Sequence, residues 1–571
     1  MRSGVTRFFL APGSRSTPLV LAVADHPDTV AVMHYDERGA AFAALGYARI
    51  SGKAAGWITT SGTALANGYP AVVEASVDHV PLLLLTADRP PELRATGANQ
   101  TIDQVKIFGS YPRWFVDLPA PSEEVPLQHV LSTVDQAVYR ANGDIPGPVH
   151  VNLMFRKPLG PEPEGRSFQS YLNPLRSWME TDEPWTRYHP QERTPAQSSI
   201  DHLAELVAGA EKGLIIASRM PCSANTAAVI DLARHLHWPL LPDIGSQLQL
   251  CAAGHPDPRI LSFDHLLADE QFVEDVRPDV VLHFGAAPVS KRLLEATAVW
   301  QPAAYVLVHP APDRIDPARV VTDRVQGGFG PVAKSLIERV PGSEGKASYH
   351  DMWQEADGLA EPAIESMLEE SGQLSEPATA RLLAAHVPDG WPLVIGNSMP
   401  VRDADRFSRR AEGRLPVIVN RGASGIDGLI ATAAGAAAAS ETPSVLLLGD
   451  LAALHDLNSL QLLRQFPVIV VVLNNDGGGI FHFLPIAHQS DQFEPYFGTP
   501  HGRSFEAAAQ MFDLPYTRAG TPDDFTAVFQ QAIVTRSSSI IEVETGRKEN
   551  VQVHERLLGR VRQALQQEPD S

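Results

Sequence analysis

The chain reads as an α/β protein built from three doubly wound parallel-sheet domains. Three observations predict this. Short apolar runs alternate with helical patterns through most of the 571 residues, the signature of βαβ units and of sheets covered on both faces. A Pro- and charge-rich stretch at 158–197 and a polar, partly helical stretch at 341–375 interrupt the alternation and read as connectors. Several apolar runs end in Gly, Asp or Asn, at the carboxyl edge where parallel sheets bind ligands. Domains are expected at 1–175, 195–345 and 376–571.

In the first domain strands are expected at 7–11, 31–33, 55–59, 82–86 and 149–152, with helices at 37–51 and 65–76. The second domain takes strands at 213–217, 280–284 and 304–309. In the third, an apolar strand at 445–448 ends in Gly449 and Asp450, and another at 468–473 ends in Asn474, Asn475, Asp476 and Gly477. The first and third domains look like distant copies. DERGAAFAALGYAR at 36–49 stands beside NRGASGIDGLIATAAGAA at 420–437, and TTSGTALANGYPAVVEA at 59–75 beside GDLAALHDLNSLQLL at 449–463, in the same order.

Composition narrows the function. Hydrophobic residues are 44% and charged residues 20%, as in soluble globular enzymes. The net charge of −21 argues against a general nucleic-acid surface, though not against a local basic pocket. Two cysteines, Cys222 and Cys251, are too few for a disulfide framework or a zinc cluster, so a cytoplasmic location is expected. No apolar run is long enough to span a membrane, and the start lacks the apolar core of a signal peptide.

Asp450 and Asn475 stand 25 residues apart, on strand ends that share one edge of a parallel sheet. Two side-chain oxygens can therefore meet one hard cation, with the Gly477 carbonyl as a third. Such a cation keeps waters and takes phosphate oxygens as its other ligands. The segment after Gly449 can also aim backbone N–H groups at phosphates. The other reading of this window is an ordinary strand-end turn, where Gly, Asp and Asn are common. No G-x-G-x-x-G follows a strand with an acidic residue at the right distance, which disfavours a dinucleotide enzyme.

The motif set is more specific than any one window. It comprises APGSRSTPL at 11–19, DERGAAF at 36–42, TSGTALAN at 60–67, ADRPPEL at 87–93, GANQTI at 97–102, GAAPVSKRLLE at 285–295, GNSMPVRD at 396–403, NRGASGIDG at 420–428 and NNDGGGIFHFLP at 474–485. In this order the chain resembles the 2-succinyl-5-enolpyruvyl-6-hydroxy-3-cyclohexene-1-carboxylate synthases, thiamine-diphosphate enzymes of menaquinone biosynthesis. The resemblance spans essentially the whole chain and implies pyrimidine-binding, central and diphosphate-binding domains. Family members carry about one further helix before the first strand. Here Met1 falls almost directly before that strand; either the true start lies upstream or the chain is shortened, and a missing helix would expose one face of the first sheet.

The resemblance implies roles for named residues. Asp450, Asn475 and the Gly477 carbonyl would hold Mg²⁺ or Mn²⁺ against the diphosphate, beside Gly449. Ile426 would be the apolar wedge that bends thiamine diphosphate; its plain alternative is a core isoleucine. Glu37 would hydrogen-bond the pyrimidine ring and move a proton there, as a carboxyl with a raised pKa. Taken alone, Glu37 reads as a first-turn carboxylate that complements a helix dipole. Thr63 would contact the cofactor or order Glu37. The substrates implied are 2-oxoglutarate and isochorismate, whose carboxylates call for guanidinium partners. Arg402 and Arg421, with Ser398, would hold the distal carboxylate of 2-oxoglutarate. Ser14, Arg15, Arg89, Asn99, Gln100, Lys291 and Arg292 would surround isochorismate. Ile480 and Phe481 would wall the cleft and exclude water. Any one of these basic residues, considered singly, reads as a solvated surface group. His455 and His482 read as structural. Glu37 and Asp450 would come from different subunits, so a homodimer or dimer of dimers is expected. The implied reaction decarboxylates 2-oxoglutarate and adds the remaining succinyl-semialdehyde carbanion 1,4 to isochorismate. An acetolactate-synthase-type carboligase acting on pyruvate would share the cation motif and the glutamate but would need neither Arg402 nor Arg421. A non-catalytic protein that kept the fold would be expected to lack Glu37, Asp450 or Asn475, and all three are present.

Overall fold

The computed structural model describes residues 1–161, 167–189, 195–222, 224, 226–342 and 347–566. They form two compact units. Unit 1 comprises Met1–Gln191 with Asn420–Ser444 and Leu454–Val468, and unit 2 comprises Glu192–Val419, Val445–Ala453 and Ile469–Ser571.

The sheet of unit 1 has six strands: β1 (Arg7–Leu10), β2 (Val30–Met33), β3 (Ala55–Thr59), β4 (Leu82–Asp88), β5 (Trp114–Leu118) and β6 (Pro148–Met154). Their order is β2-β1-β3-β4-β6-β5 and every pairing is parallel. β5 is absent from the sequence expectation because WFVDL is a half-buried edge strand without a long apolar run. On the opposite edge, Val30 and Met33 of β2 are exposed, and the helix Thr17–Ala24 buries no residue fully. The helix expected at 65–76 is two helices, Ala64–Asn67 and Tyr69–Val77. They part at Gly68, where a Cβ would strike the Trp57 ring at 2.2 Å.

Helix α1 (Glu37–Ser51) starts at an Asp36 cap that accepts the Arg38 N–H, and stops at Gly52 in the left-handed region. It packs against helix α2 (Leu429–Ser440), whose LIATAAGAAAAS sequence is almost all small residues. Small side chains let the two backbones touch. A Cβ on Gly46 would lie 2.0 Å from the Thr432 carbonyl oxygen, and one on Gly435 2.0 Å from that of Ala43. Residues 167–189, read from sequence as linker, pack onto unit 1: Leu175 is buried and Tyr188 stacks on Tyr139 at 4.4 Å. Within that stretch, 162–166 and 190–194 lie outside the described residues.

Unit 2 holds two sheets. One contains β7 (Gly213–Ala217), β8 (Leu240–Pro242), β9 (Val280–Phe284), β10 (Ala304–Val308) and β11 (Asp323–Val325), in the order β11-β10-β9-β7-β8. β8 and β11, at three residues each, are too short to show in sequence. The other contains β12 (Leu393–Ile395), β13 (Val417–Val419), β14 (Ser444–Gly449), β15 (Val468–Asn474), β16 (Tyr516–Ala519) and β17 (Ser539–Glu544). Its order, β13-β12-β14-β15-β17-β16, repeats the permutation of the first sheet. All seven residues of β15 are buried, as a central parallel strand requires. The stretch at 341–375, expected as a connector, contains the helix Ala347–Glu370, which buries Trp353, Ala360 and Ile364 in a core cluster.

The shared strand order has one consequence for function. In each six-stranded sheet the strand order reverses between the first and third strands of the repeat. Ligands of open α/β sheets bind outside the carboxyl ends at such a switch point. In unit 1 the loops there start at Ala11 and Thr60; in unit 2 they start at Gly396 and Asp450.

Candidate active site

At the carboxyl edge in unit 2, Asp450 opens the short helix Asp450–His455 directly after β14 and is 2% exposed. Its Oδ1 accepts the Leu451 N–H at 2.6 Å, and its Oδ2 accepts the Gly477 N–H at 2.8 Å. His501 Nε2 lies 3.1 Å from Oδ2, while its Nδ1 accepts the Arg503 N–H at 3.1 Å. That second bond assigns the tautomer: Nε2 carries the hydrogen and donates to Asp450. Burial raises the Asp450 carboxyl above the ordinary range, and the N–H donors pull it partly back.

Asn475, at the end of β15, is 8% exposed. Its Nδ2 donates to Glu376 Oε1 at 2.9 Å, and its Oδ1 is buried with no hydrogen-bond partner. Gly477 follows with φ +133°, and a Cβ there would lie 1.9 Å from the Gly498 carbonyl oxygen, so only glycine fits. Its own carbonyl accepts the Gly479 N–H at 3.0 Å, leaving one lone pair. Glu376 is fully buried, and burial together with the charge of Asp403 pushes it up to about 8. Above Gly449, a Cβ would meet nothing within 4 Å.

Other predicted residues of unit 2 are spread out. Ser398, non-glycine at φ +72°, caps the helix Met399–Phe407, and its carbonyl accepts from Arg402, which is half-buried. Such a conformation costs roughly 1–3 kcal/mol and tends to occur at functional sites. Ile480 and Phe481 are half-buried in a 3₁₀ turn, with Phe481 edge-on to Phe497. Lys291 is exposed and pairs with Glu295 at 3.0 Å. Arg292 pairs with buried Asp264 at 2.5 Å, and Arg406 meets the same carboxylate at 2.7 Å. Both residues of this Lys–Arg pair therefore have carboxylate partners within the protein.

At the carboxyl edge in unit 1, Glu37 heads α1 and is half-buried. Its Oε2 accepts the Asn67 amide at 3.1 Å, and its backbone carbonyl accepts the Trp57 indole N–H at 3.1 Å. Thr63 is exposed at the start of the helix Ala64–Asn67. Ser14 is exposed beside Arg15, which is 6% exposed; Arg89, just after β4, is 9% exposed. Arg15 Nη1 donates to the Phe155 carbonyl at 2.6 Å, and its Nε is buried with no partner. Arg89 donates to the Ser61 hydroxyl and to the Asn99 carbonyl. The Gln100 amide donates to the Ser61 carbonyl at 3.0 Å. Burial lowers the Arg15 pKa, and the charge of Arg89 lowers it further. The neighbouring carboxylate of Asp88 accepts the Arg89 backbone N–H at 2.7 Å and pairs with Arg94 at 2.6 Å. Two buried guanidiniums thus face each other's charge, and their hydrogen bonds run only to neutral oxygens.

Also in unit 1, the turn at 420–428 is pinned by Glu74, which accepts the N–H groups of Gly422 (2.9 Å) and Ala423 (2.6 Å). Arg49 clamps Glu74, Asp78 and Asn420. On that turn Arg421 is half-buried and Ile426 is 36% exposed, so Ile426 is not a core residue of the unit.

Three family models match the chain: "Thiamine pyrophosphate enzyme, N-terminal TPP binding domain" over 1–107, "Middle domain of thiamine pyrophosphate" over 169–395, and "Thiamine pyrophosphate enzyme, C-terminal TPP binding domain" over 402–543. Two relatives named 2-succinyl-5-enolpyruvyl-6-hydroxy-3-cyclohexene-1-carboxylate synthase are similar over nearly their whole length. The one from Salinibacter ruber is 47% identical over 99% of this chain and 95% of the relative. The one from Rubrobacter xylanophilus is 48% identical over 98% and 96%. The chain belongs to this synthase family.

It is thus a thiamine-diphosphate-dependent enzyme with the three α/β domains of that class. Membership in the synthase family implies a divalent cation, and the donor set tests that implication. Asp450 supplies a buried carboxylate, Asn475 an orphaned buried carbonyl oxygen, and Gly477 a backbone oxygen. These are hard oxygen donors, too few to cage a cation alone and suited to one that shares its shell with phosphates and water. Among the described residues no group of three His, Cys, Asp or Glu side chains is arranged to hold a metal ion. The three oxygens of Asp450, Asn475 and Gly477 fit an oxygen-ligated cation. No helix among the described residues is long and apolar enough to cross a membrane.

Two residues near this set, His501 and Glu376, are missing from the sequence expectation. They lie 51 and 99 residues from the side chains they hold, and neither belongs to a quoted motif.

Proposed function

We propose that the protein decarboxylates 2-oxoglutarate and adds the remaining succinyl-semialdehyde unit 1,4 to isochorismate. The products are 2-succinyl-5-enolpyruvyl-6-hydroxy-3-cyclohexene-1-carboxylate and CO₂, within menaquinone biosynthesis. The observation that carries this reading is the buried pair Arg15 and Arg89, whose guanidinium groups donate hydrogen bonds only to uncharged oxygens. Buried cations of this kind call for an anionic ligand, and a guanidinium fork matches a carboxylate.

Bound thiamine diphosphate supplies a nucleophilic carbon and a sink for the electron pair left when CO₂ departs. Asp450, Asn475 and the Gly477 carbonyl hold Mg²⁺ or Mn²⁺ against its diphosphate. Ile426 wedges beneath it, with Gly449, Thr63 and Ile480 at its borders. Glu37 hydrogen-bonds the pyrimidine nitrogen and exchanges a proton there. Arg402, Arg421 and Ser398 hold the distal carboxylate of 2-oxoglutarate. Arg15, Arg89, Ser14, Asn99 and Gln100 hold isochorismate. Lys291 and Arg292 join them only by leaving Glu295 and Asp264. Ile480 and Phe481 keep water from the reacting carbon. The enzyme works in the cytoplasm as a homodimer or dimer of dimers, with Glu37 of one subunit serving the cation site of the next.

The test is a purified-enzyme assay with thiamine diphosphate, Mg²⁺, 2-oxoglutarate and isochorismate, following isochorismate absorbance and product mass, with Glu37→Gln as control. Turnover that needs every component and collapses in the control is expected. Decarboxylation of pyruvate without isochorismate consumption would replace this reading with a general carboligase.

A further inference from the structure

We propose that Glu376 is a positioning residue for the cation site: it decides which end of the Asn475 amide faces the cation. This rests on the cation reading above. The oxygen and nitrogen ends of an amide have nearly the same shape, so their neighbours decide which is which. Asn475 Nδ2 donates to Glu376 Oε1 at 2.9 Å, and the Thr545 hydroxyl donates to the same oxygen at 3.0 Å. With two donors on it, Oε1 is held as an acceptor. A flipped Asn475 would set its carbonyl oxygen against Oε1 and lose the bond. The unflipped amide leaves Oδ1 buried and unpartnered, ready for a cation.

The clamp is rigid on each side. Glu376 is the first residue of the helix Glu376–His386, fixed by a Ser375 cap whose side chain accepts the Ala378 N–H. Gly479 lets the backbone lie close to the amide: a Cβ there would fall 2.5 Å from Asn475 Nδ2. A buried acceptor without a donor costs roughly 1–3 kcal/mol, so an unguided amide would turn its oxygen toward whatever donor it could find. Glu376 removes that choice.

The experiment measures Mn²⁺ affinity by electron paramagnetic resonance, using the full chain with saturating thiamine diphosphate and no substrate. Glu376→Leu should weaken Mn²⁺ binding about 10–100-fold, the range for lost outer-shell support. Glu376→Gln, which keeps a carbonyl acceptor, should restore it. The deciding comparison is the Asn475→Asp background. A carboxylate has no nitrogen end to orient, so the choice that Glu376 makes disappears. In that background Glu376→Leu should leave Mn²⁺ affinity unchanged. Weakening in both backgrounds, or in neither, overturns the proposal, since a purely structural role would act on both backgrounds alike. Where Glu376→Leu fails to fold, Thr545→Val tests the same pattern at smaller amplitude, by removing the second donor to Oε1. Absence of Mn²⁺ binding by the unmodified enzyme would instead overturn the cation reading, and this inference with it.

Discussion

Gly435→Ala tests whether the contact between α1 and α2 is set by backbone approach. Gly435 lies inside α2, and a Cβ there would fall 2.0 Å from the Ala43 carbonyl oxygen of α1. Ordinary contact starts at 3.4 Å, so the helices must part by the difference, about 1.4 Å. Main-chain atoms cannot swing aside as a side chain can. Overpacking of this kind costs about 1–3 kcal/mol, and the rigid partner places it at the upper end. Alanine's better helix propensity returns about 1 kcal/mol. The net expectation is a loss of roughly 2 kcal/mol. Gly559 is the control, since it sits in the helix Arg547–Gln566 with nothing within 4 Å of an added Cβ. Gly559→Ala should stabilise by about 0.5–1 kcal/mol. Urea denaturation of both variants gives the comparison. Activity should fall too, because α1 carries Glu37, and a misplacement of about 1 Å can cost 100-fold. A Gly435→Ala protein as stable as Gly559→Ala, with full turnover, would refute the reasoning.

Two further predictions concern charge. Burial lowers His283 to about 4 from its usual 6.5. Its Nε2 donates to the Ala286 carbonyl while Nδ1 accepts from the Tyr305 hydroxyl, so a second proton has no place. A histidine with a lowered folded pKa contributes stability above 6.5 that is lost as pH falls toward 4. The stability gap between the unmodified protein and His283→Gln should therefore shrink by about 1.4 kcal/mol per pH unit across that window, read by denaturation at several pH values; a gap independent of pH would count against a neutral buried His283. Separately, Arg402→Ala and Arg421→Ala should each raise KM for 2-oxoglutarate about 10–100-fold, the loss expected of a charged hydrogen bond worth some 1.5–3 kcal/mol. Steady-state kinetics decide it, and an unchanged KM would remove that arginine from the substrate site.

Much of the fold was legible because it is repeated. The apolar runs at 55–59, 213–217 and 280–284 match β3, β7 and β9 residue for residue, since central parallel strands are continuously apolar. The doubling of Gly-rich strand ends in the first and third parts returned as an identical strand order in two sheets. Edge and three-residue strands carried too little pattern to be seen. The helix Ala347–Glu370 was read as connector because its sequence is largely polar, whereas its buried face rests on a few residues such as Trp353 and Ile364.

The sequence by itself determined the αβ repeat and the family, and it singled out Asp450, Asn475 and Gly477 as the proposed cation ligands. These depend on strand ends and short spacings, where local chemistry and chain order suffice. Only the tertiary structure decided how those groups are held. It set His501 against Asp450 and Glu376 against Asn475 across long loops, left the guanidinium groups of Arg15 and Arg89 with uncharged hydrogen-bond partners, and tied Arg292 to Asp264. It also placed α2, from the last third of the chain, in one compact unit with α1. Hydrogen bonds and ion pairs act over a few ångströms of space, whatever the separation along the chain, so no local pattern could announce them.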